Sequence, residues 1–174
     1  KINPTDMPEM DNILSQIEFK FCGEDGADLF MDGVNISSEI TTAEVTESVS
    51  RISAISKVRK KLVEYQREMA DGIDVVLEGR DIGTVVFPDA DHKFFLIADI
   101  HERAKRRMQE MEAKGEIVSL SALTAELEER DRIDSTREHS PLKKAEDAVE
   151  IDTTGLSIEQ QVNRIVEIVT KSIK

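Results

Sequence analysis

Two stretches of this chain concentrate side chains suited to handling an anion. The first, Glu78-Gly79-Arg80-Asp81-Ile82-Gly83-Thr84, sets three charged groups and two glycines directly after a short apolar run. An arginine there can grip a phosphate with its two-pronged guanidinium, and an aspartate can hold a sugar hydroxyl. The competing reading of that string is a solvated turn with an Arg–Asp pair. The second stretch, residues 103–137, holds six arginines: Arg103, Arg106, Arg107, Arg130, Arg132 and Arg137. Arg103 shares a helical face with Arg106 and Arg107. Asp131 and Asp134 are interleaved with the later three. Several guanidinium forks in one segment can surround a polyphosphate. The competing reading is an exposed helix carrying ion pairs with Glu102, Glu128 and Glu129. Ser50 and Arg59, at the end of one helix and the start of the next, read by themselves as ordinary polar surface residues. The histidines His92, His101 and His139 share no metal-ligand spacing and read as surface residues. A nucleophile motif such as G-x-S-x-G is absent.

These residues must be carried by regular elements, and the patterning supplies them. Residues 1–15 read as a linker entering a short helix. Ile17-Glu18-Phe19-Lys20-Phe21 alternates apolar and polar, the period of a half-buried strand. Gly23, Asp25 and Gly26 mark a turn. Leu29-Phe30-Met31 and Val34-Asn35-Ile36 flank Asp32-Gly33, a strong hairpin cue, so residues 17–40 predict a small antiparallel sheet. Helical texture begins at Thr41, with Glu44 at capping-box spacing. The next helix aligns Val58, Leu62, Tyr65 and Met69 on one apolar face and ends at Asp71-Gly72. Three apolar runs, at 74–78, 93–98 and 148–152, each precede a loop and then a helix. That alternation predicts a parallel sheet in an α/β fold, with ligands held past the carboxyl ends of the strands. Asp99 with Glu102 opens one helix, residues 120–130 form the next, and Ser157 with Gln160 opens the last.

Composition sets the outer limits. The chain has 174 residues, the size of one α/β domain or a core with small insertions, and 39% are hydrophobic, enough for a core. A net charge of −13 disfavours a broad nucleic-acid footprint, while a few arginines can still build a local anion site. The single cysteine, Cys22, excludes an internal disulfide and fits a small hydrophobe in a reducing, cytoplasmic setting. No run reaches the roughly 18–20 apolar residues of a membrane span.

The string of residues 77–90, Leu77-Glu78-Gly79-Arg80-Asp81-Ile82-Gly83-Thr84-Val85-Val86-Phe87-Pro88-Asp89-Ala90, closely resembles the signature of bacterial cytidylate kinases. The likeness continues in order. Glu102-Arg103-Ala104-Lys105-Arg106-Arg107-Met108 resembles the family's helix into its lid. Glu129-Arg130-Asp131-Arg132-Ile133-Asp134-Ser135-Thr136-Arg137 resembles the lid's return, followed by Pro141-Leu142. Residues 152–160 are similar to the last strand-to-helix turn, and residues 45–59 to the helix pair of the CMP pocket. The resemblance implies a P-loop, nucleoside-monophosphate-kinase-like α/β fold with ATP, Mg2+ and CMP or dCMP as its small molecules. It implies a monomer working without nucleic acid or membrane. The divisions it implies are a linker and partial helix at 1–15, a CMP-binding insertion at 16–70, a core of 71–110 with 141–174, and a lid at 111–140. It makes Arg80, Arg130 and Asp81 the catalytic set. Ser50, Arg59 and Arg137 lie near cytosine, Arg80 and Arg130 at the phosphates, and Asp81 and Asp134 at the sugar hydroxyls. Arg103, Arg106 and Arg107 fall on the ATP and lid side. No metal-ligand set is assigned.

The chain departs from the family pattern at named places. Thr41 or Thr42 stands where the family has Arg, Ser56 where it has Pro, and Glu78 where many relatives have Asp. No G-x-x-x-x-G-K-[ST] loop, the ATP-phosphate cradle, occurs among the 174 residues. The resemblance places that loop and the first strand upstream, with the strand between the runs at 74–78 and 93–98. The expectation is therefore a piece of a complete kinase, nearly inactive by itself. A non-catalytic nucleotide-binding module and a related UMP/CMP-type kinase are the alternatives.

Overall fold

A computed structural model of the chain describes residues 7–22, 28–53 and 55–172; for Met7, Ala43, Glu47 and Ser50 it describes the backbone alone. The expected turn at Gly23, Asp25 and Gly26 and the start of the linker lie outside the described residues. The chain forms two compact units that meet in sequence between Glu78 and Gly79.

The first unit begins with helix α1 (Met7–Gln16), followed by strands β1 (Phe19–Cys22), β2 (Asp28–Met31) and β3 (Val34–Asn35). They form an antiparallel sheet in the order β1-β2-β3, with Phe19 opposite Met31 and Phe30 opposite Asn35. Asp32 and Gly33 both take positive φ, +50° and +79°, the geometry that joins two strands with the sheet's own twist. A 3-10 turn (Glu39–Thr41) leads into helices α2 (Ala43–Ser53) and α3 (Ser56–Met69). The capping spacing predicts a helix from Thr41. That residue instead closes the 3-10 turn, and the Thr42 carbonyl accepts the first α2 bond, from Thr46 N. Tyr65 fastens α3 to β1: its ring meets Phe19 edge-on at 5.4 Å, and its hydroxyl donates to the Ile17 carbonyl. Among the described residues of this unit, Met10, Val58 and Val63 are buried and apolar.

Residues 74–78 read as a buried strand in the sequence, but they pair with no strand among the described residues, and Val76 is fully exposed. A strand exists only where a neighbour takes up its N–H and C=O groups. An apolar run alone cannot supply that neighbour.

In the second unit, β4 (Phe94–Ile97) and β5 (Val149–Asp152) pair in parallel, with Phe94 opposite Val149 and Ile97 opposite Asp152. Helices α4 (Ile100–Ala113) and α5 (Leu120–Thr136) form the excursion between them, and α6 (Ile158–Ser172) follows β5. Capping explains where these helices start. Asp99 accepts from His101 N and Glu102 N, and Ser119 accepts from Ala122 N. Ser157 and Gln160 cap each other reciprocally, the arrangement their spacing predicts. Helix α5 extends six residues past the apolar pattern, which ends near Arg130. Its last turns bring oppositely charged side chains together at helical spacing, Arg132 with Glu129 at 2.7 Å and, more loosely, Arg130 with Asp134 at 3.9 Å. Val86, Ala104, Leu123 and Ile151 form the dry centre. Among the described residues, no helix is long and apolar enough to cross a membrane.

Candidate functional site

Arg80 and Asp81 enter the second unit just before a five-residue π turn (Ile82–Val86). The Asp81 carbonyl accepts from Val85 N at 2.9 Å and Val86 N at 3.3 Å, and Phe87 N closes on the Ile82 carbonyl at 2.7 Å. Wide turns of this kind cluster at functional sites because they re-aim the residues around them. The path leaves little room at Gly79, where a Cβ would sit 2.9 Å from Ile82 Cγ1. Asp81 is 4% exposed.

Helix α5 brings the partners. Arg130, Asp134 and Arg137 recur at spacings of four and three, so they share a face. The chain then folds back: Leu142 N donates to the Asp134 carbonyl, and Arg137 Nε donates to the Ser140 carbonyl, both within 2.7 Å. Asp134, 2% exposed, is surrounded by guanidinium groups. Its Oδ2 lies 3.3 Å from Arg80 Nε and 3.9 Å from Arg130 Nε, and its Oδ1 lies 3.5 Å from Arg137 Nη1. Asp131, one position on from Arg130, bridges a second pair. Its Oδ1 accepts from Arg80 Nη1 at 2.9 Å, and its Oδ2 meets Arg103 Nη2 of helix α4 at 2.7 Å.

Four guanidiniums and two carboxylates thus make one cluster, with two positive charges in excess, or one if buried Asp81 is counted. Charge of that sign, partly shielded from water, suits a phosphate carrying about two negative charges. Burial by itself would raise the Asp131 pKa. The hydrogen bonds and charges of Arg103 and Arg80 outweigh that effect and hold the carboxyl below its ordinary range. It stays an anion.

Not every arginine singled out in the sequence joins this cluster. Arg106 turns to the β5–α6 connection. Its Nη2 donates to the Thr153 carbonyl at 2.6 Å and reaches the Leu156 carbonyl at 3.5 Å, while its Nε donates to Glu102 at 3.3 Å. Arg107 pairs with Glu110 at 3.2 Å on a more exposed face. Arg132 is bound to Glu129, which lowers the carboxyl's pKa and raises the guanidinium's. Ser50 and Arg59 belong to the first unit, on α2 and α3, and the Ser50 side chain lies outside the described ones. His92, His101 and His139 are exposed. No group of three or more potential metal ligands occurs among the described residues.

Sequence reasoning missed Asp131 as a member of this cluster and Thr153 as the partner of Arg106 at the β5–α6 turn. Asp131 was visible only as one carboxylate in an alternating run. Its bridge joins residues 51 and 28 positions away, which no local pattern reveals. Thr153 is 4% exposed; its hydroxyl and N–H both donate to the Ile97 carbonyl, and its own carbonyl holds Arg106.

Parallel strands followed by helices define an α/β protein, and its arginine cluster has the net positive charge that an anion site needs. A family model for cytidylate kinase matches residues 1–171. The chain is similar to a cytidylate kinase of Lactobacillus johnsonii, 47% identical over 94% of this chain and 71% of that protein. A cytidylate kinase of Lactobacillus gasseri is 50% identical over 92% of this chain and 69% of its own length. One from Halalkalibacterium halodurans is 41% identical over 99% and 78%. The chain belongs to the cytidylate kinase family.

Proposed function

We infer that this chain serves the transfer of a phosphoryl group from ATP to CMP or dCMP, giving ADP and the nucleoside diphosphate. The observation that carries the reading is the Arg80–Arg103–Arg130–Arg137 cluster around Asp131 and Asp134, read together with family membership. Phosphoryl transfer needs little covalent help from a protein. It needs two substrates held in line and positive charge where negative charge is redistributed. A cluster of guanidiniums already held by carboxylates supplies that charge without reorganising at the moment of reaction.

In this reading Arg80 and Arg130 grip the acceptor phosphate and the group in transit, and Asp81 and Asp134 accept from the sugar hydroxyls. The family resemblance assigns Ser50, Arg59 and Arg137 to cytosine recognition. Arg103 and Arg107 serve the ATP side, and Arg106 shapes the turn beside them. Residues 111–140, which run from the end of α4 through α5 and carry Arg130 and Arg137, act as the lid, and residues 16–70 as the acceptor-binding part. In this reading magnesium is the companion ion of ATP, and no residue is assigned to it. The deciding experiment compares CMP, dCMP, UMP and AMP, by calorimetric binding and by turnover with MgATP. Preference for CMP or dCMP is expected. Tighter binding or faster turnover of UMP or AMP overturns the assignment.

A further inference from the structure

We propose that Asp131 is a built-in anion that competes with a nucleotide's phosphate for Arg80 and Arg103. The geometry points to it directly. Each carboxylate oxygen engages a different guanidinium, Oδ1 with Arg80 and Oδ2 with Arg103. Two oxygens of a phosphate bridge two arginines in the same way. The two arginines come from separate elements, the π-turn approach and helix α4, and Asp131 comes from a third, helix α5. A carboxylate in that position sets the spacing of the two forks and suppresses their mutual repulsion. The same contact places a fixed negative charge where a ligand's phosphate must come.

Asp131 differs from Asp134 in a way that matters for this role. Asp134 is buried, with 3% of its side chain exposed, whereas Asp131 keeps 26% exposure, so it can turn outward to solvent when another anion takes its partners. Arg80 keeps its second anchor, Nε against Asp134, through that exchange. The arginine stays in place while its Nη1 changes partner. Among the described residues Arg103 makes no second ion pair, so it gains most from a new anion. The exchange makes the cluster selective: a ligand without a phosphate leaves Asp131 where it is, and one with a phosphate replaces one charge-assisted bridge by another.

The proposal deepens the functional reading and rests on it for the ligand's identity. It is tested by calorimetric titration of wild type and D131N with CMP, ATP, inorganic phosphate and cytidine. D131N keeps the side chain's shape and removes its charge. Since hydrogen bonds to charged groups are worth enough to move a binding constant by about tenfold, D131N is expected to bind CMP, ATP or phosphate about tenfold tighter. Cytidine affinity is expected not to change, and neither is any affinity in D147N, whose carboxylate pairs with Lys93 instead. Equal or weaker binding of every phosphate ligand by D131N overturns the proposal. A measurement on wild type covers the case in which D131N fails to fold. The Asp131 carboxyl carbon resonance should move on saturation with CMP or phosphate, and a resonance that stays put overturns the exchange. The two readings fail separately. If wild type binds CMP well and D131N is unchanged, the exchange is wrong and the kinase reading stands. If both proteins bind inorganic phosphate, D131N more tightly, but neither prefers CMP to UMP or AMP, the exchange stands and the substrate reading is wrong.

Discussion

Arg130 is the side chain whose loss should separate function from folding. It is 38% exposed, and its contact with Asp134 is a loose 3.9 Å, so the fold leans on it little. Arg130→Ala is expected to weaken CMP binding by roughly ten- to a hundredfold, the worth of a hydrogen bond to a charged group, with an unchanged melting temperature. Calorimetry alongside a thermal melt checks both halves. Asp131 carries a prediction about pH. Its carboxyl is held below the ordinary range in the folded protein, so the unfolded chain takes up a proton first as the pH drops. Its stabilising contribution is complete above about pH 4, the ordinary aspartate value, and fades as the pH falls through the lower folded value. The melting-temperature gap between wild type and D131N should therefore be widest near neutrality and shrink in acid. A gap that grows in acid would refute the pairing. The arginines themselves were legible as residue types. Which of them meet was not, because Arg103 and Arg106 differ by only three positions yet reach unrelated partners.

At the scale of elements, what was legible followed local rules. The Asp32-Gly33 hairpin, the Asp99 cap and the Ser157–Gln160 box need only their own neighbours, and each forms where the spacing puts it. The β5–α6 turn needs more. Thr153 joins it to β4, and Arg106 reaches across from α4 to two of its carbonyls. Arg106→Ala should leave helix α4 intact, since Ala is the stronger helix former, yet free the turn. Amide exchange at Leu156, whose N–H donates to the Thr153 carbonyl, is expected to accelerate, while exchange within β4 and β5 stays slow. Uniform acceleration across the unit would show that Arg106 supports the whole packing and not the turn.

For the whole molecule, the division between residues 78 and 79 and the exposed stretch 71–79 make a prediction of their own. Backbone outside any ladder or helix is where a protease first finds an extended substrate. In this 174-residue chain, a glutamate-specific protease should cut after Glu78 well before it cuts after Glu110, which is exposed but helical. Mass spectrometry of the early fragments reads the order, and earlier cleavage at Glu110 would contradict it. The exposed Val75, Val76 and Leu77 show the limit of reading a sequence by pattern. Periodicity states that a segment wants to be buried, and it is silent on what will bury it. By itself the sequence determined the types of most elements, the helix starts at Asp99 and Ser157, the family and the roster of charged residues. All of these depend on contacts within a few positions or on motifs carried in order. Only the tertiary structure decided that Asp131 joins Arg80 to Arg103, that Asp134 is buried among arginines, and that Arg106 is spent on a turn. Those choices are made by long-range Coulomb and hydrogen-bond geometry between elements, which comes into being only when the chain has closed on itself.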